Sequence, residues 1–179
     1  MKIERHQRRN LRTWRGIDAA IKNNLYGKGV SGEGNKNAKV VLIGEAPGKE
    51  ESLYGRPFIG RQGRMLRKVL EEAGLDLKDI YITNAVKVRP PDNRRPTNDE
   101  IDYWRPVLMA ELALINPEQV ICLGNTARRA LYSRPREAKI IFLPHPGRAR
   151  FMAGVREQLG KKFKTIAERL KDRKDSIER

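Results

Sequence analysis

The feature that most restricts this chain is a set of four short apolar runs, each followed by a helical pattern. The runs are Ala38–Gly44 (AKVVLIG), Ile80–Val86 (IYITNAV), Gln119–Gly124 (QVICLG) and Ala138–Pro144 (AKIIFLP). Each is rich in β-branched residues, lacks polar alternation and is bounded by turn residues, the pattern of a strand covered on both faces. Between them, Gly63–Ala73 places Met65, Leu66, Val69 and Leu70 on one helical face. Thr97–Ile115 opens on Thr97-Asn98-Asp99-Glu100, the spacing of a capping box, and Asn116-Pro117 stops it. Asn125–Tyr132 reads as a short helix, and Phe151–Leu170 carries Phe151, Val155, Leu159, Phe163, Ile166 and Leu170 at helical spacing. Strands alternating with helices predict an α/β fold, three αβα layers around a central four-stranded parallel sheet with right-handed crossovers. In open sheets of this kind, ligands bind beyond the carboxyl ends of the strands.

The 179 residues fit one domain, residues 1–179. Residues 1–37 read as an N-terminal helical segment with a glycine-containing loop, and residues 171–179 as a polar, frayed tail. Lys and Arg number 38 against 22 Asp and Glu, a net charge of +16. Such an excess suits a polyanion, nucleic acid first; a solvated, highly charged surface is the plain alternative. The basic residues are spread along the chain rather than set on one amphipathic helix, and no apolar run nears the ~18 residues of a membrane span, so no membrane partner is expected. The basic N-terminus lacks the apolar stretch of a secretory signal, which makes the cytoplasm the expected location. The single cysteine, Cys122, excludes internal disulfides and any cysteine-ligated zinc or iron–sulfur site, which needs several thiolates. In its apolar run it reads as a buried core thiol. No cofactor and no metal are expected, and the chain is expected to act as a monomer.

Three of the four strand ends carry unusual residues. The first ends in Gly44-Glu45-Ala46-Pro47-Gly48, a tight turn that lets a ligand approach the backbone and places one carboxylate there. It is followed by Gly55-Arg56-Pro57-Phe58-Ile59-Gly60, where Phe58 is either a stacking platform for a planar base or ordinary core. Arg56, Arg61, Arg64, Arg67 and Lys68 lie around it with no acid between them, a charge that suits phosphate at a helix N-terminus. The second strand ends in Thr83-Asn84 and runs into Lys87-Val88-Arg89. Asn84 carries both an acceptor and donors, enough to read the hydrogen-bonding edge of a base, or to cap a turn. The fourth ends in Pro144-His145-Pro146-Gly147-Arg148-Ala149-Arg150, where two prolines leave the histidine little backbone freedom.

Together these pieces resemble the uracil-DNA glycosylase superfamily, and most closely its family 4. The matching pieces are GEAPG at 44–48, Glu51, GRPFIG at 55–60, Gly63, ITNAVKVRPP at 82–91, NRRPTNDEI at 93–101, LGNTA at 123–127 and His145-Pro146. The resemblance implies a uracil-DNA glycosylase-like fold and a monofunctional enzyme that flips uracil out of DNA, single- or double-stranded, and cuts the base–sugar bond in base excision repair. Position by position it implies that Glu45 positions water or steadies positive charge on the sugar. Phe58 stacks on the flipped base and Asn84 hydrogen-bonds uracil. His145 stabilises charge on uracil O2, and Gly44 and Ala46 shape the turn around the base. A block against the methyl of thymine is expected near Phe58 and Glu51. DNA contacts are expected from Arg56, Arg61, Arg64, Lys87, Arg89, Arg148 and Arg150.

Two departures from the family pattern stand out. Family 4 typically holds a [4Fe–4S] cluster on four cysteines. Here two of those positions are Val88 and Trp104, and the N-terminal pair is absent. Apolar packing of Val88, Trp104, Leu11 and Trp14 is expected in its place. The family's HPS and apolar wedge are replaced by His-Pro-Gly and two arginines, so Arg148 or Arg150 is expected to prop open the stack. The same departure motivates one rival, a glycosylase for another base such as hypoxanthine or mismatched thymine. A second, a catalytically silent DNA-binding module, would be marked by a lost acid, asparagine or histidine, and Glu45, Asn84 and His145 are all present.

Overall fold

A computed structural model of the chain describes residues 10–131, 138–147 and 154–177. In chain order its elements are α1 (Trp14–Lys22), β1 (Glu33–Gly34), β2 (Val40–Gly44), α2 (Lys49–Tyr54), α3 (Arg61–Glu72) and β3 (Ile80–Asn84). A 3-10 turn at Pro91–Asn93 leads into α4 (Asn98–Ile115), followed by β4 (Gln119–Leu123), α5 (Asn125–Ala130), β5 (Lys139–Leu143) and α6 (Val155–Ile177).

The sheet has the order β1-β3-β2-β4-β5. The last four strands are parallel; β1 pairs antiparallel with β3, Glu33 opposite Ile82. The sheet thus has five strands rather than the four expected. The added strand is two residues of backbone pairing in a glycine-containing loop, and so short a segment has no hydrophobic period by which to be recognised. The strands β2, β3 and β4 are buried throughout, as central parallel strands must be. Strand β5, expected to be buried on both faces, lies at the edge, and only Leu143 in it is fully buried.

One apolar layer joins the sheet to α1, α4 and α5 through residues such as Ile17, Tyr81, Trp104, Leu108 and Val120. The other joins it to α3 and α6 through Leu42, Leu66, Ile82, Leu159 and Phe163. Helix α4 starts with a reciprocal capping box. The Glu100 amide donates to Thr97 Oγ1 at 3.2 Å, and the Thr97 amide to a Glu100 carboxylate oxygen at 2.7 Å. Helix α6 continues through Ile177, past Leu170, where a frayed tail was expected. Its last turns gain an ion pair between Arg173 and Glu118, which lies just before β4. Phe151, expected in this helix, lies outside the described residues. Among the described residues, no helix is long and apolar enough to cross a membrane.

Candidate active site

The ends of β2 and β3 are locked together beyond the last strand residues. The Ala85 amide donates to the Gly44 carbonyl at 2.9 Å, and the Val86 amide to that of Glu45 at 3.0 Å. This holds Asn84 beside the Gly44 turn. A Cβ on Gly44 would lie 2.5 Å from both Asn84 Oδ1 and the Phe58 ring, so a side chain there would occupy the space between amide and aromatic. Asn84 is 4% exposed as a residue and its side chain lines the cleft, where a carboxamide offers both a donor and an acceptor to a ligand.

Phe58 is placed by strain. Its φ is 55°, in the left-handed region, at a cost of about 1–3 kcal/mol for a residue with a side chain. The surroundings enforce it. Gly63 in α3 packs so closely on the Phe58 backbone that a Cβ there would come within 2.1 Å of the Phe58 carbonyl carbon. The Glu51 carboxylate accepts the amides of Gly48 at 3.1 Å and Gly60 at 2.7 Å, tying the turn after β2 to the turn before α3. Gly48, Gly60 and Gly63 therefore serve close approach, whereas Gly55, at φ 71° with open space around it, serves the left-handed end of α2.

Glu45 and His145 face the same cavity. A cavity of about 1460 Å³ is lined by Glu45, Glu51, Phe58, Asn84, Thr126 and His145, among others. Thr126, in the first turn of α5, donates to Glu45 Oε2 at 2.5 Å. His145 Nδ1 accepts the Gly147 amide at 3.1 Å, which assigns the ring proton of the neutral imidazole to Nε2. Burial holds the His145 pKa below its ordinary value, against the opposing pull of the Glu45 carboxylate, so the ring is neutral at pH 7. Gly124, at φ 88°, lets the β4–α5 turn pass the imidazole: a Cβ there would sit 3.0 Å from His145 Cβ.

Glu45, Ala46, Phe58, Asn84 and His145 thus line one cleft, with Gly44 behind them. The predicted DNA contacts divide. Arg61 is exposed and lines the cleft. Arg56 and Arg64 are exposed but already paired, with Glu33 at 2.6 Å and Glu50 at 2.7 Å. Arg89 donates to Asn93 Oδ1 at 2.7 Å. Arg148 and Arg150 lie outside the described residues. The expectation for Lys87 is overturned. Its side chain is 0% exposed, and its ammonium donates to Glu111 Oε2 at 2.5 Å and to Thr83 Oγ1 at 2.6 Å. A lysine beside a strand end reads as a phosphate contact, and only the approach of Glu111 from α4 turns it inward. Sequence reasoning also missed Thr126, though its LGNTA motif was recognised, and the cleft arginines Arg95, Arg128 and Arg129.

The residues present do not fit an iron–sulfur cluster. Val88 and Trp104, at two of the family's ligand positions, are 7% and 1% exposed and share one apolar cluster with Leu11 and Tyr103, against which Trp14 packs. Tyr103 meets Trp104 edge to face, with centroids 5.1 Å apart. The only thiol, Cys122, is buried in β4, and among the described residues no group of three or more potential ligands could hold a metal.

The model of the Uracil DNA glycosylase superfamily matches residues 31–171. A type-4 uracil-DNA glycosylase of Archaeoglobus fulgidus is 34% identical over 160 residues, covering 78% of this chain and 80% of that protein. A type-4 uracil-DNA glycosylase of Thermotoga maritima is 47% identical over 98 residues, which is 55% of this chain and 51% of that one. A solution NMR structure from Methanosarcina acetivorans superposes with a TM-score of 0.57 at 15% identity, over 77% of this chain and 96% of that one, a likeness of fold. Given this match along most of the sequence and the motif residues gathered in one cleft, the chain belongs to the uracil DNA glycosylase superfamily.

Proposed function

We propose that the protein is a monofunctional uracil-DNA glycosylase, a cytoplasmic monomer that hydrolyses the N-glycosidic bond of uracil in single- or double-stranded DNA. The observation that carries this reading is the Asn84 carboxamide set beside the Phe58 ring at the Gly44 turn, in the cleft that Glu45 and His145 also line. A flipped pyrimidine stacks on the ring and pairs its O4 and N3–H with the amide. Cytosine presents the reversed pattern and would leave those buried groups unpaired, a strong basis for rejection. Glu51, held rigidly by two amides, borders the pocket where the methyl of thymine would have to fit.

The base must leave the stack first, at a cost of a few kcal/mol, offset by the basic rim on the phosphates. The C1′–N1 bond then breaks with its electron pair on uracil, and water adds at C1′ with loss of a proton. Neutral His145 donates from Nε2 to the oxygen where the negative charge develops. Donors set in place before the reaction are usually the largest catalytic contribution. Glu45, oriented by Thr126, faces the positive charge on the sugar and positions the water. Val88 and Trp104, at two positions where the family pattern has cysteines, share one apolar cluster with Leu11 and Trp14, which supports an enzyme that works without an iron–sulfur cluster.

Uracil release from single- and double-stranded oligonucleotides tests the function, with hypoxanthine and mismatched thymine as competitors. No release of uracil overturns it. His145→Ala should lower turnover far more than DNA affinity; equal loss of both would favour a silent binding module. An iron assay on the active protein tests the cluster: stoichiometric iron would refute its replacement.

A further inference from the structure

Phe142 is out of keeping with the strand that carries it. Among the described residues, strand β5 is a sheet edge paired with β4 alone, and Phe142 stays 47% exposed while the adjacent Leu143 is buried. Edges are usually protected by charge or proline rather than left with a bare aromatic. The ring is not on an idle surface, because it lines the same cleft as Asn84 and His145. Arg128, from α5, places its guanidinium over the ring, 5.0 Å from the centroid. Two other cleft arginines are neutralised, Arg94 by Glu100 and Arg156 by Glu72, while Arg61, Arg95 and Arg129 line the cleft without an ion pair among the described residues. Arg128 has no carboxylate partner among the described residues. Both members of the pair are anchored to the reacting groups. Arg128 is two residues beyond Thr126, which binds Glu45, and Phe142 is three residues before His145.

We propose that Phe142 and Arg128 form a subsite for the nucleotide next to the flipped uracil, which takes that nucleotide's base against the ring–guanidinium pair and its phosphate on the free N–H groups of Arg128. The inference rests on the proposed excision of uracil, since flipping is what leaves the neighbouring base with a bare face. Aromatic rings and guanidinium planes stack on any base, so the subsite adds affinity without adding a sequence requirement. A guanidinium lying over a ring keeps its donors at its edge, where a phosphate can accept two of them. Stacking restored on the protein offsets part of the stacking lost in the duplex. In an ordinary cation–π contact between two surface residues, neither group would respond to DNA.

The test uses duplexes with a tetrahydrofuran abasic analogue and 2-aminopurine on its 5′ or its 3′ side. With the wild-type chain, fluorescence at one of these two positions should be quenched on binding. Phe142→Leu, which keeps apolar bulk but no π face, should abolish that quenching and weaken binding about tenfold. Phe142→Trp should retain both. Arg128→Ala should reduce the slope of log affinity against log salt by about one. Phe142 is half-exposed and Arg128 is exposed, so thermal unfolding should not shift; should Phe142→Leu fail to fold, Phe142→Trp and Arg128→Ala still decide the matter. The subsite is overturned by wild-type affinity and salt slope in Arg128→Ala together with quenching that does not depend on Phe142. Uracil release by the wild-type chain is measured separately. Release with a Phe142-independent signal removes the subsite alone, whereas absence of release removes the reading beneath it.

Discussion

Arg67 holds Phe58 in its left-handed conformation from outside the pocket. Its Nε donates to the Phe58 carbonyl and its Nη2 to the Pro57 carbonyl, both at 2.8 Å, and Nη2 also reaches a Glu33 oxygen at 3.1 Å. Burial pushes the Glu33 carboxyl up, but the hydrogen bonds and charges of Arg56 and Arg67 outweigh it and leave its pKa below the ordinary carboxylate value. A run of basic residues that reads as a phosphate site thus spends two of its members on an internal acid. Arg67→Ala should lower the single-turnover rate of uracil release by about ten- to a hundredfold, because a small misplacement of the stacking ring suffices. Affinity for abasic DNA should change little. Arg67→Lys should not rescue the rate, since one ammonium cannot reproduce the planar fork. An unchanged rate in Arg67→Ala would show that Gly63 and Glu51 hold Phe58 without it.

Gly44 is needed for space rather than for backbone freedom. Its missing Cβ is the gap between Asn84 and Phe58. Gly44→Ala should reduce base release by about a hundredfold while the protein remains folded, the methyl intruding where the pyrimidine has to lie. Circular dichroism with a glycosylase assay checks both halves, and full activity would mean that uracil binds elsewhere in the cleft.

Lys87 and Glu111 form a buried pair, with Tyr81 and Thr83 donating to the same carboxylate. Burial lowers the Lys87 pKa and Glu111 pulls it back up. Removing one partner leaves an uncompensated charge, so Lys87→Met should cost about 3–5 kcal/mol in chemical denaturation. The double variant Lys87→Met/Glu111→Leu should recover much of that loss. Reduced DNA affinity with unaltered stability in Lys87→Met would restore the lysine as a phosphate contact.

The imidazole of His145 makes activity and stability depend on pH in a defined sense. Its folded pKa is lowered by burial from 6.5. Between the two values the unfolded chain binds the proton and the folded one does not. The stabilisation is therefore complete above 6.5 and is lost as pH falls from there through the folded pKa. NMR titration of the His145 ring should give a midpoint below 6.5, and the rate of base release should show no His limb at 6.5. A midpoint at or above 6.5 would mean that the cationic form is the resting one.

Much of this protein was legible in its sequence because the signals are local. Unbroken apolar runs mark Val40–Gly44 and Ile80–Asn84 as central strands, Thr97 and Glu100 mark the start of α4, and turn glycines with one acid, one amide and one histidine mark the strand ends as the place for chemistry. What the tertiary structure alone decided is which charges meet and which remain free. Arg56 meets Glu33 across 23 residues, Lys87 meets Glu111 across 24 and Thr126 meets Glu45 across 81. A side chain's periodicity reports the face it occupies, whereas its charge partner depends on how whole elements pack. Basic side chains therefore become a buried strut at Lys87, a clamp at Arg67 and, at Arg128, a cation without a carboxylate partner among the described residues.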